Sequence, residues 1–396
     1  MIQGNDKVLL HLSLISGVGP GTVLRLVKAV FDQTFPDLRG SDLMEIINQQ
    51  DSFNLGLVYD LSPFDLGKMI GLSEKAAKTL ADGLADQSLL DEECALIKKH
   101  DVALVTLFNP EYPETLKQIH LPPVVLYVKG ASLAPAAKRI AIVGSRKATD
   151  YAHRTVQYLV PALVANQWHI VSGGAEGADT MAHGASLDCG GVTVAVLGSG
   201  LLCPYPASNE RLFEDIARSG GSVISSFPMT MPPDRGNFPA RNRIIAGLSQ
   251  GCLIIQAAEK SGALITAQFA LENGRQVFAV PGSIYEELSL GCHSLIKQGA
   301  KLVQNPQDIF EEFSEHFSKQ MFIGAAAFRK ADQQQSLNFS STAELDPILA
   351  ALSRACTLDE LCAMTGFSIV ELQNRLFELQ LEGKVTQHFT GNWEKI

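Results

Sequence analysis

The sequence predicts an α/β chain: a doubly wound parallel sheet at the centre, a helical module before it and a second small module after it. Two observations carry this. Between residues 138 and 313 the chain repeats one unit, an apolar run, a glycine turn and an amphipathic stretch, as strands joined by crossover helices do. The apolar runs are rich in Val, Ile and Leu and lack polar alternation, which marks strands covered on both faces. Length agrees, since 396 residues at ~150 per domain allow two or three domains.

Residues 1–135 alternate short helical patterns with turns and end in the Pro-rich connection LPPVVLYVKGASLAP. Within them LISGVGPGTVLRLV (14–27) has the form of a helix-hairpin-helix, with Gly17 and Gly19 in the turn and Pro20 opening the second helix. GKMIGLSEKAAKTLADGL (67–84) is a degenerate second copy. Such hairpins offer backbone N–H groups to DNA phosphates without reading bases. A helical packing module of the sterile-alpha-motif type accounts for the segment equally well.

The core spans 136–317. Its predicted strands are 140–143, 169–171, 193–197, 222–225, 252–255 and 276–280, and its predicted helices 150–165, 178–187, 209–219 and 263–272. Residues 318–344, rich in Gln, Ser and Ala without periodicity, read as a linker. Residues 345–396 read as a winged helix: a helix at 358–364, a turn at Gly366, a helix at 368–382 and a hairpin ending in Trp393. The expected recognition helix has one basic residue, Arg375, against Glu371, Glu378 and Glu382. That balance suits a protein contact better than a phosphate backbone.

Composition narrows the class. Apolar residues make up 46% and charged ones 19%, which excludes a disordered or collagen-like chain. Seven scattered cysteines with no C-x-x-C pair point to reduced thiols, with neither a disulfide framework nor a zinc site expected. No secretory leader pattern and no apolar run of ~20 residues is seen, so a cytoplasmic chain without a membrane span is expected. The net charge of −10 taken whole argues against nucleic acid. Divided, it is −5 over 1–138, zero over 139–310 and −5 over 311–396. The acidity sits in the flanking modules, so nucleic-acid binding is expected only in one pocket of the neutral core.

Three loops after core strands supply candidate phosphate ligands. In IAIVGSR, Gly144 allows a tight turn, Ser145 offers a hydroxyl and an N–H, and Arg146 a planar fork. In VSGGAEGAD, Gly173, Gly174 and Gly177 suit a nest of backbone N–H groups. The third is AVLGSGLLCPYP. Neither a P-loop nor a complete dinucleotide fingerprint occurs: Gly198-Ser199-Gly200 runs into Leu201, Leu202 and Cys203. No cofactor, metal cluster or nucleophile elbow is expected.

The densest polar segment, PPDRGNFPARNRIIAG, places Arg235, Arg241 and Arg243 within nine residues against Asp234, with Asn237, Phe238 and Asn242 interleaved. No helix is predicted there. Guanidinium groups grip phosphates and an aromatic ring stacks on unpaired bases; the plain alternative is a solvated loop. Lys260, Ser261 and Gly262 open the next helix, a further anion site. Asp179 and His183, four apart on one helix, read as an acid near the helix start and a packing histidine more readily than as a catalytic pair.

Taken together, VGSR, SGGAEGADTMAH, AVLGSGLLCPYP, FPARNRIIAGLS, SGALITAQFALENGRQVFAVPG and GCHSLIKQGA closely resemble the DprA/Smf family of DNA-processing proteins, in the family's order across about 140–303. The resemblance implies a Rossmann-like core that binds single-stranded DNA during natural transformation, protects it and loads the recombinase RecA. A homodimer, with single-stranded-DNA-binding protein as a further partner, is implied too. Family members are not established enzymes. The family's DNA pocket carries over to Arg146 and, less directly, to Arg241, Arg243 and Lys260.

Where relatives often have a basic residue this chain has Glu176. The family's usual glutamates after two strands are Ser226 and Gln256 here, and its usual asparagine is His293. The crevice is thus short of carboxylates for acid–base work. The competing reading is a nucleotide or nucleoside-monophosphate hydrolase using the same crevice. Leu290, Leu295 and Ile296 read equally as an apolar dimer face or as core.

Overall fold

Ile140 and Ile142 point one way from their strand and Ala141 and Val143 the other, and this two-residue period builds separate hydrophobic cores on the two faces of one sheet. In the computed structural model the described residues are 2–133 and 137–313, followed by 348, 351, 352, 356, 358–365, 367, 372, 375, 376, 379, 384–387 and 393–395.

The strands are β1 (Ala103–Thr106), β2 (Val125–Gly130), β3 (Arg139–Val143), β4 (His169–Ser172), β5 (Thr193–Val196), β6 (Ser222–Ser225), β7 (Gly251–Ile254), β8 (Gln276–Ala279) and β9 (Lys301–Leu302). They form a nine-stranded sheet in the order β1-β2-β6-β5-β4-β3-β7-β8-β9. From β6 to β9 every pair is parallel, whereas β1 pairs with β2 and β2 with β6 antiparallel. The chain builds outward from β3 to β6, then returns to lay β7, β8 and β9 on the other side of β3. After β3 it enters the helix Asp150–Ala165, which packs on one face, and after β7 the helix Gly262–Glu272, which packs on the other. Their diverging connections leave a crevice at the carboxyl ends of β3 and β7.

Two expectations are corrected. The segment 1–135 is not helical throughout. The apolar run of β2 is buried from Val125 to Val128 and extends the sheet beyond β6, with β1 at its edge. Nor is 237–248 a loop. Asn237–Leu248 is a helix, tolerating Pro239 because a first-turn N–H has no helical partner to lose.

Before β1, the helices Gly4–Leu14 and Pro20–Thr34 flank Gly17, and Pro63–Ile70 and Glu74–Ala85 flank Gly71; both glycines have left-handed φ. Both hairpins expected from the sequence therefore form. Their apolar faces join the core on one side of the sheet. Glu93, on the following helix Ser88–Lys99, accepts a hydrogen bond from the Met229 N–H at 2.7 Å, which ties that helix to the loop after β6.

Residues 1–328 make one compact unit and 329–396 a second. In the second, the helix Leu358–Thr365 and the antiparallel pair β10 (Val385–Gln387) and β11 (Trp393–Lys395) are described, with Leu361, Leu372, Leu376, Leu379 and Trp393 in its core. The expected linker at 318–344 and most of the helix expected at 368–382 lie outside the described residues. Among the described residues no helix is long and apolar enough to cross a membrane.

Candidate nucleic-acid interface

The crevice beside β3 and β7 is a cleft of about 540 Å³. The loop after β3 supplies Gly144, Ser145, Arg146 and Lys147. The helix Asn237–Leu248 supplies Phe238, Arg241 and Asn242, preceded by Arg235, and the start of the helix Gly262–Glu272 supplies Ser261 and Gly262. Four cationic side chains, Arg146, Lys147, Arg235 and Arg241, face two carboxylates, Asp179 and Glu287. The lining is net positive in a chain of net charge −10. Arg146, Lys147 and Arg235 are exposed, whereas Arg241 is buried.

Helical spacing decides which arginine reaches the cleft. Phe238, Arg241, Asn242 and Ile245 fall on one face at i, i+3, i+4 and i+7 and all line it. Arg243 lies off that stripe, half-buried beside Tyr112. Lys260 is exposed but outside the lining, and Ser261 caps the helix by accepting the Ala263 N–H at 3.3 Å.

The glycine loops act differently from the expectation. The Asp179 carboxylate accepts the Gly173 N–H at 3.1 Å and the Ala175 N–H at 3.3 Å, so the nest of the second loop already holds an anion, the protein's own. Gly173 and Gly174 are buried and do not line the cleft. A Cβ at Gly173 would collide with the Arg241 guanidinium, so glycine there lets Arg241 and Asp179 share one buried site. In the first loop the Ser145 N–H donates to the Gln256 carbonyl at 2.7 Å and the Ser145 carbonyl accepts the Ala178 N–H at 3.1 Å. Gln256 is therefore a structural brace; its Oε1 also accepts the Thr149 N–H at 2.9 Å. Gly177, at φ +80°, lets the second loop pass against the Ser145 and Arg146 carbonyls, where a Cβ would collide. In the third loop the Gly200 N–H donates to Met231 and the Leu202 N–H to Met229, again packing. Tightly braced loops thus present side chains, chiefly Arg146, to the cleft.

Phe238 is half-buried. The Arg146 and Arg241 guanidinium carbons lie 5.6 Å and 5.7 Å from its ring centroid, within cation–π range. Its ring is thus in contact with both guanidinium groups beside the cleft. The freer aromatic is Tyr205, 44% exposed, its ring centroid 5.9 Å from that of Phe238. Neither Tyr205, in the CPYP run, nor Lys147, directly after VGSR, carries a local pattern that marks it as a ligand-facing residue. Ser226 and His293 do not line the cleft. Of the three apolar residues read as dimer face or core, Leu295 is buried in the core and Ile296 packs against that core, while Leu290 is exposed.

Asp179 and His183 do not pair with each other. The His183 Nδ1 lies 2.7 Å from the Thr193 hydroxyl oxygen, whose proton goes to the Ile170 carbonyl at 2.9 Å, so Nδ1 carries hydrogen. Burial, with Arg241 nearby, pushes His183 down to about 3. Burial raises Asp179, opposed by Arg241 and the loop amides, and burial lowers Arg241, opposed by Asp179. The unfolded chain protonates the histidine near 6.5 and the folded one only near 3. Its contribution to stability is therefore full above 6.5 and drains away as pH falls through that window. Asp179, with its raised pKa, works in the opposite direction on acidification. His183→Gln is expected to lose less stability than the wild type between pH 7 and pH 4.5, measured by denaturant midpoints; equal losses would contradict this.

A family model described as DNA recombination-mediator protein A matches residues 103–314, and one described as DprA winged helix domain matches residues 332–389. The C-terminal module is a winged helix. The chain is 41% identical over 222 residues to the DNA processing protein DprA of Bacillus subtilis, covering 56% of this chain and 74% of that protein. It is 34% identical over 354 residues to protein Smf of Synechocystis sp., covering 82% of this chain and 88% of that one. The X-ray structure of DNA processing protein A (DprA) from Streptococcus pneumoniae matches with a TM-score of 0.63 at 32% identity, covering 78% of this chain and 98% of that chain.

Proposed function

Because the chain belongs to the DprA/Smf family of DNA-processing proteins, we propose that its cleft binds single-stranded DNA taken up during natural transformation, protects it and passes it to RecA. The observation that carries the binding step is the cleft itself: four cationic side chains against two carboxylates at the edge where the strand order reverses, in an otherwise acidic chain. Guanidinium and ammonium groups on exposed side chains suit a phosphate backbone. A cytoplasmic homodimer acting with RecA and single-stranded-DNA-binding protein completes the reading, on family resemblance. The acidic flanking modules suit protein partners better than DNA.

The one acid–base pair the sequence offers, Asp179 and His183, does not support hydrolysis. Asp179 is buried and committed to loop amides, and His183 is fully buried against Thr193. Neither is placed to move a proton at a bound nucleotide.

Salt titration of oligonucleotide affinity separates binding from hydrolysis. Engagement of about three phosphates by Arg146, Lys147 and Arg235 gives a slope of log affinity on log salt of roughly −2, at about −0.7 per phosphate for single strands. A flat salt dependence, with a nucleoside monophosphate bound as tightly as the oligonucleotide and its base released at ordinary turnover, would favour the hydrolase.

A further inference from the structure

A shallow depression of about 20 Å³, the size of a water and too small to enclose a base, opens beside the cleft and shares Arg146, Ala175, Phe238 and Arg241 with it. Its remaining wall brings together Tyr205 and Glu176. The Glu176 carboxylate is exposed, and one oxygen, Oε1, accepts the Ser208 hydroxyl at 3.0 Å. Among the described residues it forms no ion pair with Arg146 or Arg241. A carboxylate at the mouth of a phosphate site repels phosphate, so its chemistry there calls for a different part of the ligand.

We infer that Glu176 reads the edge of a base, giving the site a preference for guanine over thymine. The inference rests on the proposed single-strand binding. With a phosphate held at Arg146, the attached base lies across the mouth of this depression, outside it, where the exposed ring of Tyr205 gives it a face to stack on. Beside that face Glu176 offers acceptors only. Guanine presents N1–H and the N2 amino group side by side and matches a carboxylate with two hydrogen bonds. Adenine and cytosine each offer one amino group flanked by a ring acceptor. Thymine offers one N–H between two carbonyls, which a carboxylate repels. The expected order is guanine, then adenine and cytosine, then thymine.

The test uses the full chain and short thymidine oligonucleotides whose central base is thymine, guanine or hypoxanthine, which lacks the N2 amino group. The guanine strand is expected to bind about tenfold tighter than the all-thymidine strand, in the range of a well-placed bidentate base contact, with hypoxanthine losing much of that gain. In Glu176→Gln the guanine preference collapses while affinity for the all-thymidine strand rises. Equal binding of all three strands by the wild type, or a preference that survives in Glu176→Gln, overturns the inference; so does a uniform rise in affinity for every strand, which would show that Glu176 only offsets the arginines. Retained binding of all strands by Arg146→Glu would instead overturn the single-strand site on which the inference depends.

Discussion

Arg146→Glu is expected to lower affinity for a single-stranded oligonucleotide by at least about 100-fold, with little change in thermal stability. The side chain is exposed, stands over the Phe238 ring and faces the cleft. Charge-assisted contacts from arginine to phosphate contribute about 1.5–3 kcal/mol each. Reversal both removes one and adds repulsion from the strand. The salt slope should become shallower by about 0.7, the share of one phosphate. Fluorescence anisotropy across a salt series, alongside a thermal melt, measures both quantities. Unchanged affinity in the folded variant would remove Arg146 from the interface.

Asp179→Ala is expected to be the most destabilising single change near the site, by about 3–5 kcal/mol. Two effects add. The Gly173 and Ala175 N–H groups lose their shared acceptor, and a buried donor left unpaired costs about 1–3 kcal/mol. The buried Arg241 guanidinium also loses the carboxylate that offsets its burial. Asp179→Asn, which keeps an acceptor but no charge, should fall between the variant and the wild type. Denaturant midpoints at pH 7 decide; a variant as stable as the wild type would mean that neither the amides nor Arg241 depend on this carboxylate. Weakened oligonucleotide binding should accompany the loss, because the second loop packs against the loop that carries Arg146.

These two variants separate the residues that touch the ligand from those that hold them, a distinction only half legible in the sequence. The six apolar runs of the core announced their strands because burial on both faces leaves no polar position to confuse the pattern. The helix Asn237–Leu248 was hidden by Pro232, Pro233, Gly236 and Pro239, which punctuate its start and first turn and resemble a loop. Only in that helix do Arg241 and Arg243 leave in different directions, which a loop reading of the segment does not show. The strand β2 is obscured because its pairing with β6 joins segments far apart in the chain and its run follows two prolines, and β1 pairs only with β2. The glycines were visible as turns. That Asp179 fills the nest they form, and that Gln256 braces the first loop, depends on tertiary contacts which local pattern does not encode.

The central claim is that single-stranded DNA lies in the cleft between the loop after β3 and the start of the helix Gly262–Glu272. A structure of the full chain with a short oligonucleotide tests it most directly. The account predicts a phosphate within hydrogen-bonding reach of the Arg146 guanidinium, neighbouring phosphates near Lys147 and Arg235, and the nest at Gly173 and Ala175 still filled by Asp179. A strand bound elsewhere on the surface, with the cleft empty, would contradict it.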